Sequence, residues 1–302
     1  MKNGTTIITL DNGYHLWTNT QGSGDIHLLA LHGGPGGTHE YWEDTAKQLA
    51  KRGLNVQVHM YDQLGSFYSD QPDFNDPKNQ DILTYDYYIN EVEEVRQKLG
   101  LDHFYLIGQS WGGALVQLYG LKYGQHLKGA IISSMIDNTE EYVAAVNAKR
   151  AEVLSQADLE YMQKIETEHR WDDPKYQEIV DRLNAQFVDR REIPAYSHLI
   201  ETMATDVYGA FQGDNEFVVT GKLKEFDLRG KLKDLKMPTY LVFSDHETMP
   251  VDVAKRMAKE IPHSRLSVTP DSGHHGMTDN PRHYYDHLAQ FIQDVEQNQF
   301  ND

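Results

Sequence analysis

Cysteine is absent from the 302 residues. Without a thiol there is no disulfide framework, no thiolate nucleophile and no cysteine-ligated metal. Long apolar runs are also missing, and none reaches the roughly 18 residues that a membrane-spanning helix needs. The first residues, Met1-Lys2-Asn3-Gly4-Thr5-Thr6, lack the apolar core of roughly 7–15 residues found in a secretory leader, so the expected compartment is the cytoplasm. Positive charge is scarce: 28 basic residues stand against 46 acidic ones, a net charge of −18. Such a surface repels nucleic acid and anionic membranes, and neither is expected as a partner. Low-complexity tracts and internal repeats are lacking as well. The remaining composition, 39% apolar and 25% charged, is that of a folded globular chain.

The pattern along the chain is strand and helix in alternation. Thr5–Leu10 and Tyr14–Thr18 alternate apolar and polar residues around Asp11-Asn12-Gly13, and an Asn-Gly pair between such runs predicts a hairpin. Ile26–Leu31, Val56–Tyr61, Phe104–Ile107 and Leu127–Ser133 are short apolar runs. Helical periodicity separates them at 42–49, 85–99 and 114–123, which predicts βαβ units and a parallel sheet. From about Asp137 the pattern changes. Thr139–Leu154, Gln156–Glu168 and Asp173–Phe187 read as charged helices with few β-branched runs. Strand character resumes at Thr239–Phe243 and Arg265–Val268, with helices over 252–260 and 282–296. A helical block inside an α/β pattern predicts an inserted cap.

Two glycine-rich segments follow predicted strands. Gly108-Gln109-Ser110-Trp111-Gly112-Gly113 has the G-x-S-x-G form of a strained strand-to-helix turn that lifts a serine hydroxyl above the sheet. Glycines two residues either side let neighbouring backbone pass, and the helix N-terminus faces any developing negative charge. His32-Gly33-Gly34-Pro35-Gly36 can turn backbone N–H groups toward the same charge. The expected donors are the amides of Gly34 and Trp111, with His32 as a structural hydrogen-bonding residue.

Together with Tyr61-Asp62-Gln63-Leu64-Gly65-Ser66, these two segments resemble the proline iminopeptidase family, α/β-hydrolase peptidases that release an N-terminal residue, typically proline. The resemblance runs through the whole chain. It implies an α/β-hydrolase fold, with a mostly parallel central sheet flanked by helices, a core over 1–136 and 231–302, and a helical cap over 137–230. The triad order in this fold is serine, acid, histidine. Asp271-Ser272-Gly273-His274-His275-Gly276-Met277 follows the last strand, and the family's histidine stands three residues before a methionine, which selects His274. The acid segment, Ser244-Asp245-His246-Glu247-Thr248-Met249-Pro250, departs from the family's Gly-x-x-Asp-then-Pro pattern and is one residue short. Counting from the strand gives Glu247, whose extra methylene can bridge a displaced backbone; Asp245 stays open as the alternative.

The resemblance also implies an amine-binding glutamate in an N-E-F tripeptide, which falls on Glu216 in Asn215-Glu216-Phe217. A second carboxylate is usual in the family. Here Thr248 follows Glu247, which leaves Asp245 and Glu201 as unranked candidates. Tyr208, Phe211 and Phe217 are possible walls of a proline slot, or equally cap core. His283 and His287 stand four apart on a predicted helix without a third ligand and read as a solvated face, and 69–81 reads as a surface loop. The expectation is a serine aminopeptidase preferring N-terminal proline, acting on small peptides with a free N-terminus, with no cofactor and no metal. A broad-specificity aminopeptidase or esterase with the same triad is the alternative.

Overall fold

The computed structural model describes residues 2–79, 81–191 and 202–300. Eight strands form one sheet: β1 Gly4–Thr9, β2 His15–Gly22, β3 Ile26–Leu31, β4 Val56–Tyr61, β5 Phe104–Gln109, β6 Leu127–Ser133, β7 Thr239–Ser244 and β8 Ser264–Thr269. Their order is β1-β2-β4-β3-β5-β6-β7-β8. β1 and β2 make the predicted hairpin, with Gly4 opposite Thr20 and Thr9 opposite His15. Its turn closes through the Gly13 N–H, which donates to the Leu10 carbonyl at 2.8 Å. β2 also runs antiparallel to β4, and every pairing from β4 through β3 to β8 is parallel.

Parallel strands are buried on both faces, which explains their near-continuous apolar sequences. Successive side chains point to opposite sides. Leu29, Leu31, Leu106, Ile132, Leu241 and Phe243 join the core under α2 (Tyr85–Lys98), α3 (Trp111–Tyr123) and α8 (Val251–Glu260). Their neighbours Leu28, Ala30, Ile107, Ile131, Tyr240 and Val242 pack on the other face against α1 (Thr45–Ala50) and α9 (Pro281–Glu296). Each large apolar side chain so buried contributes about 1.5–3 kcal/mol.

Between β6 and β7 lies the helical insertion, with α4 Thr139–Val153, α5 Gln156–Thr167, α6 Pro174–Phe187 and α7 Thr205–Phe211. The first three begin where capping chemistry says they must. The side chains of Asn138, Ser155 and Asp173 each accept an N–H from the first turn, and Pro174 opens α6. α7 escaped the sequence reading because its N-cap is Ala204, which makes no such bond, and Gly209 interrupts its periodicity. The two ends of the insertion meet: Thr139 N–H donates to the Phe226 carbonyl at 3.0 Å and Leu228 N–H to the Asp137 carbonyl at 2.7 Å. No helix among the described residues is long and apolar enough to cross a membrane.

The parallel pairing has one consequence for function. The loops after β3, β5, β6, β7 and β8 all open on the edge formed by the strands' carboxyl ends, where open α/β sheets bind ligands. Gly34, Ser110, Ser134, Glu247 and His274 lie on those loops in that order.

Candidate active site

β5 ends at Gln109 and α3 begins at Trp111, so the chain reverses at Ser110 alone. Ser110 sits at φ 54° and ψ −121°, a region that costs of order 1–3 kcal/mol for a non-glycine residue. The flanking glycines are steric requirements. A Cβ on Gly108 would lie 2.1 Å from the Gly112 carbonyl oxygen, and one on Gly112 would lie 2.5 Å from that of Leu31. The Ser110 N–H is anchored to the Ser133 carbonyl at 2.9 Å. Its side chain lines a narrow pocket of about 20 Å³ together with Gly34, Trp111 and Glu216.

Gly34, at φ 107°, takes a backbone conformation open to glycine, and Trp111 begins a helix, where the first N–H groups have no intrahelical partner. A web beneath them fixes both segments. His32 Nδ1 pairs with the Gly33 carbonyl at 2.9 Å, and its Nε2 accepts the Gln63 N–H at 3.0 Å. Gln63 in turn donates to the His32 carbonyl at 3.0 Å and accepts from Trp111 Nε1 at 2.8 Å. Burial lowers the pKa of His32, which keeps it the neutral donor–acceptor that this web requires. The Tyr61–Ser66 segment therefore serves as the floor of the loop pair, a role its sequence alone did not disclose.

Oε2 of Glu247 lies 3.1 Å from Nδ1 of His274. Oε1 accepts the Ser244 N–H at 2.6 Å and the Ser134 hydroxyl at 3.1 Å. The two side chains are almost fully buried, and burial acts on both: it pushes the Glu247 carboxyl up, against the two donors, and brings His274 down to about 4, against the charge of Glu216. The imidazole is thus held neutral with Nδ1 toward a carboxylate and Nε2 available as a base. Nε2 is buried, lies 4.0 Å from Oε1 of Glu216 and makes no hydrogen bond among the described residues, Ser110 included.

Asp245 points elsewhere. Its carboxylate accepts the Asp271 and Ser272 N–H groups at 3.0 and 3.1 Å and pairs with His246 at 2.7 Å. It braces the histidine loop rather than the imidazole. Glu201 lies outside the described residues. Tyr208, Phe211 and Phe217 do not line the pocket; Phe211 instead packs on Trp111 with ring centroids 4.5 Å apart. The apolar walls are Met135, Ile136, Val219, Leu223 and Met249. Aliphatic and thioether side chains carry no sequence signature of a slot.

Two further supports had no motif to mark them. Gln109, inside the elbow, donates to the His274 carbonyl at 2.6 Å and accepts from Ser133 at 2.6 Å. The end of α6 holds the histidine loop by its main chain, with His274 N–H on the Phe187 carbonyl at 2.9 Å and His275 N–H on that of Val188 at 3.3 Å. No group of three metal-ligating side chains occurs among the described residues, and the His283 and His287 rings simply stack at 4.1 Å.

Residues 26–281 match the family model for the alpha/beta hydrolase fold. The proline iminopeptidase of Elizabethkingia meningoseptica is 33% identical over 307 residues, covering 98% of this chain and 99% of its own. That of Flavobacterium johnsoniae is 30% identical over 294 residues, covering 95% and 97%. The chain belongs to the proline iminopeptidase family. Solved structures share the fold end to end. The proline iminopeptidase of Mycobacterium smegmatis superposes with a TM-score of 0.85 at 22% identity, and VinJ with 0.88 at 24%; each comparison covers 97% of this chain and 99% of the other. The iminopeptidase family membership thus spans the sheet, the elbow and the helical insertion alike.

Proposed function

We propose that this chain is a serine aminopeptidase that releases an N-terminal residue, preferentially proline, from short peptides with a free N-terminus, and that it works in the cytoplasm. The observation that carries the reading is the meeting of opposite requirements in one pocket: a strained serine, glycine-loop and helix-start amides, and the single carboxylate of Glu216 beside the Nε2 edge of His274. The curated relatives' shared name, proline iminopeptidase, supports it.

In this reading Ser110 Oγ attacks the first peptide carbonyl while His274 Nε2 takes its proton, and Glu247 holds the imidazole and offsets the imidazolium charge. The Gly34 and Trp111 amides receive the tetrahedral oxyanion. The intermediate collapses as the C–N bond breaks, and His274 returns the proton to the leaving amine. Water then attacks the acyl-enzyme by the same proton route. Glu216 holds the substrate's α-ammonium at a fixed distance from Ser110, a charge-assisted bond worth about 1.5–3 kcal/mol. The insertion over 137–230 acts as a cap. A pocket of about 20 Å³ admits little more than a water, so substrate entry displaces its walls and the Ser110–His274 hydrogen bond forms on closure.

A fluorophosphonate reagent followed by peptide mapping is expected to label Ser110, and Ser110→Ala is expected to lower kcat by about six orders of magnitude, by analogy with serine proteases. Residual activity above about a hundredth of wild type would remove the serine mechanism. Prolyl arylamide is expected to outrun its N-acetyl form and the leucyl and alanyl arylamides. Equal turnover of the acetylated compound would strip Glu216 of its role.

A further inference from the structure

Glu216 is the only acid among the described residues that line the pocket. An α-ammonium group presents two or three N–H donors, so one carboxylate must be well aimed to recognise it. A glutamate has three side-chain torsions, and at 17% exposure it is not fixed by packing alone. What fixes it is Tyr142. This residue lies on α4, one turn inside the start of the insertion, and is 5% exposed. Its single hydroxyl proton is shared, in a bifurcated bond, between the main-chain carbonyl of Glu216 and Oε1 of the same residue, the latter at 2.9 Å. One shared proton therefore ties the side chain of Glu216 to its own main chain. Oε1 is the oxygen that lies 4.0 Å from His274 Nε2.

The phenol does more than hold. An oxygen that gives its proton to Glu216 keeps lone pairs, and Tyr142 itself lines the pocket. Beside it, the fully buried hydroxyl of Thr248 makes no hydrogen bond of standard geometry among the described residues. Burial and the charge of Glu216 keep the Tyr142 phenol well above its ordinary pKa, so it stays a donor at any working pH. We infer that Tyr142 is the positioning residue of the ammonium site: its hydroxyl aims Glu216 and makes a single carboxylate a directional receptor for the primary or secondary α-ammonium of an N-terminal residue. The inference rests on the assignment of Glu216 to the substrate amine.

The test is a double-mutant cycle read as a ratio, kcat/KM for prolyl arylamide over kcat/KM for p-nitrophenyl acetate, which has no amine. Tyr142→Phe is expected to lower that ratio roughly tenfold, mostly through KM, the size of one lost hydrogen bond to a charged group. Glu216→Gln is expected to lower it further, and the double variant to be no worse than Glu216→Gln alone, because the phenol acts through the carboxylate. If Glu216→Gln leaves the ratio unchanged, the amine site itself is misassigned and the inference goes with it. If Glu216→Gln lowers the ratio but Tyr142→Phe does not, or the two losses simply multiply, the amine site stands and the role of Tyr142 is overturned. Should Tyr142→Phe be recovered unfolded, the same ratios on Tyr142→Met decide the matter.

Discussion

The carboxylate of Glu247 reaches Nδ1 of His274 at 3.1 Å from the loop that follows β7. Asp245, two residues earlier on the same loop, instead accepts the Asp271 and Ser272 N–H groups and braces the adjoining turn. An amide at position 247 presents the imidazole with the wrong partner and no charge for the imidazolium. Glu247→Gln is therefore expected to reduce kcat about 10⁴-fold with little change in KM, by analogy with the same change in serine proteases. Asp245→Asn is expected to stay within about tenfold of wild type, since only main-chain braces weaken. Steady-state kinetics on the two variants decide between them, and the reverse ranking would make Asp245 the acid.

Ser134 is the less obvious member of that arrangement. It follows β6 at φ 48°, and its hydroxyl is one of two donors to Oε1 of Glu247. Removing it leaves a buried carboxylate oxygen with the Ser244 N–H alone. Ser134→Ala is expected to lower kcat by about tenfold, the cost of one hydrogen bond to a charged group. The drop is expected to vanish on a Glu247→Gln background, where the hydroxyl has no charge to serve. An equal drop on both backgrounds would mean that Ser134 acts on folding rather than on the carboxylate.

How much of this was readable in advance follows the reach of each signal. The strands and the first three helices of the insertion were legible because periodicity and capping residues are local: Asp173 and Pro174 open α6 whatever surrounds them. Ser110 and the glycines at 108 and 112 were legible because close backbone approach forces the residue type. Glu247 and Asp245 stood unresolved because choosing between two carboxylates two residues apart takes side-chain direction, which depends on where β8 delivers His274. Ser134, Gln109 and Tyr142 bore no signal, because each matters through a partner 74 to 165 positions away. Serine, glutamine and tyrosine at such spacings occur throughout any chain.

Asp279 ties the insertion to the histidine loop. It is fully buried and accepts Gly273 N–H at 2.8 Å and Arg191 N–H at 3.0 Å, with Arg190 N–H at 3.3 Å. Gly273 has no room for a side chain, since its Cβ would stand 2.6 Å from the Val188 carbonyl oxygen. An asparagine turns one acceptor into a donor facing other donors, so Asp279→Asn is expected to cost about 2–3 kcal/mol. A scanning calorimeter is expected to record a fall in Tm of about 5 °C or more. Activity measured well below that Tm is expected to fall too, because His274 follows Gly273 directly. Full activity in a destabilised variant would show that the insertion does not position the base.

Glu91 lets the pH dependence of stability be given a sign. It stands on α2, 3% exposed, with Oε2 accepting the Leu64 N–H at 3.1 Å and the Tyr61 phenol close by. Burial raises its pKa from 4.5 to about 8. Between those values the native chain keeps a proton that the unfolded chain has released. The contribution is thus fully present below 4.5, falls as pH rises, and levels off above about 8. Each pH unit inside that window costs about 1.4 kcal/mol. Glu91→Gln keeps an acceptor for Leu64 and never ionises. Its Tm is expected to approach or trail that of wild type near pH 5 and to overtake it progressively toward pH 8. Because other titrating groups are common to both proteins, the difference between the two melting curves isolates Glu91. A difference that stays flat across the window would mean that the native carboxyl ionises at its ordinary pH, and that the Leu64 N–H outweighs burial.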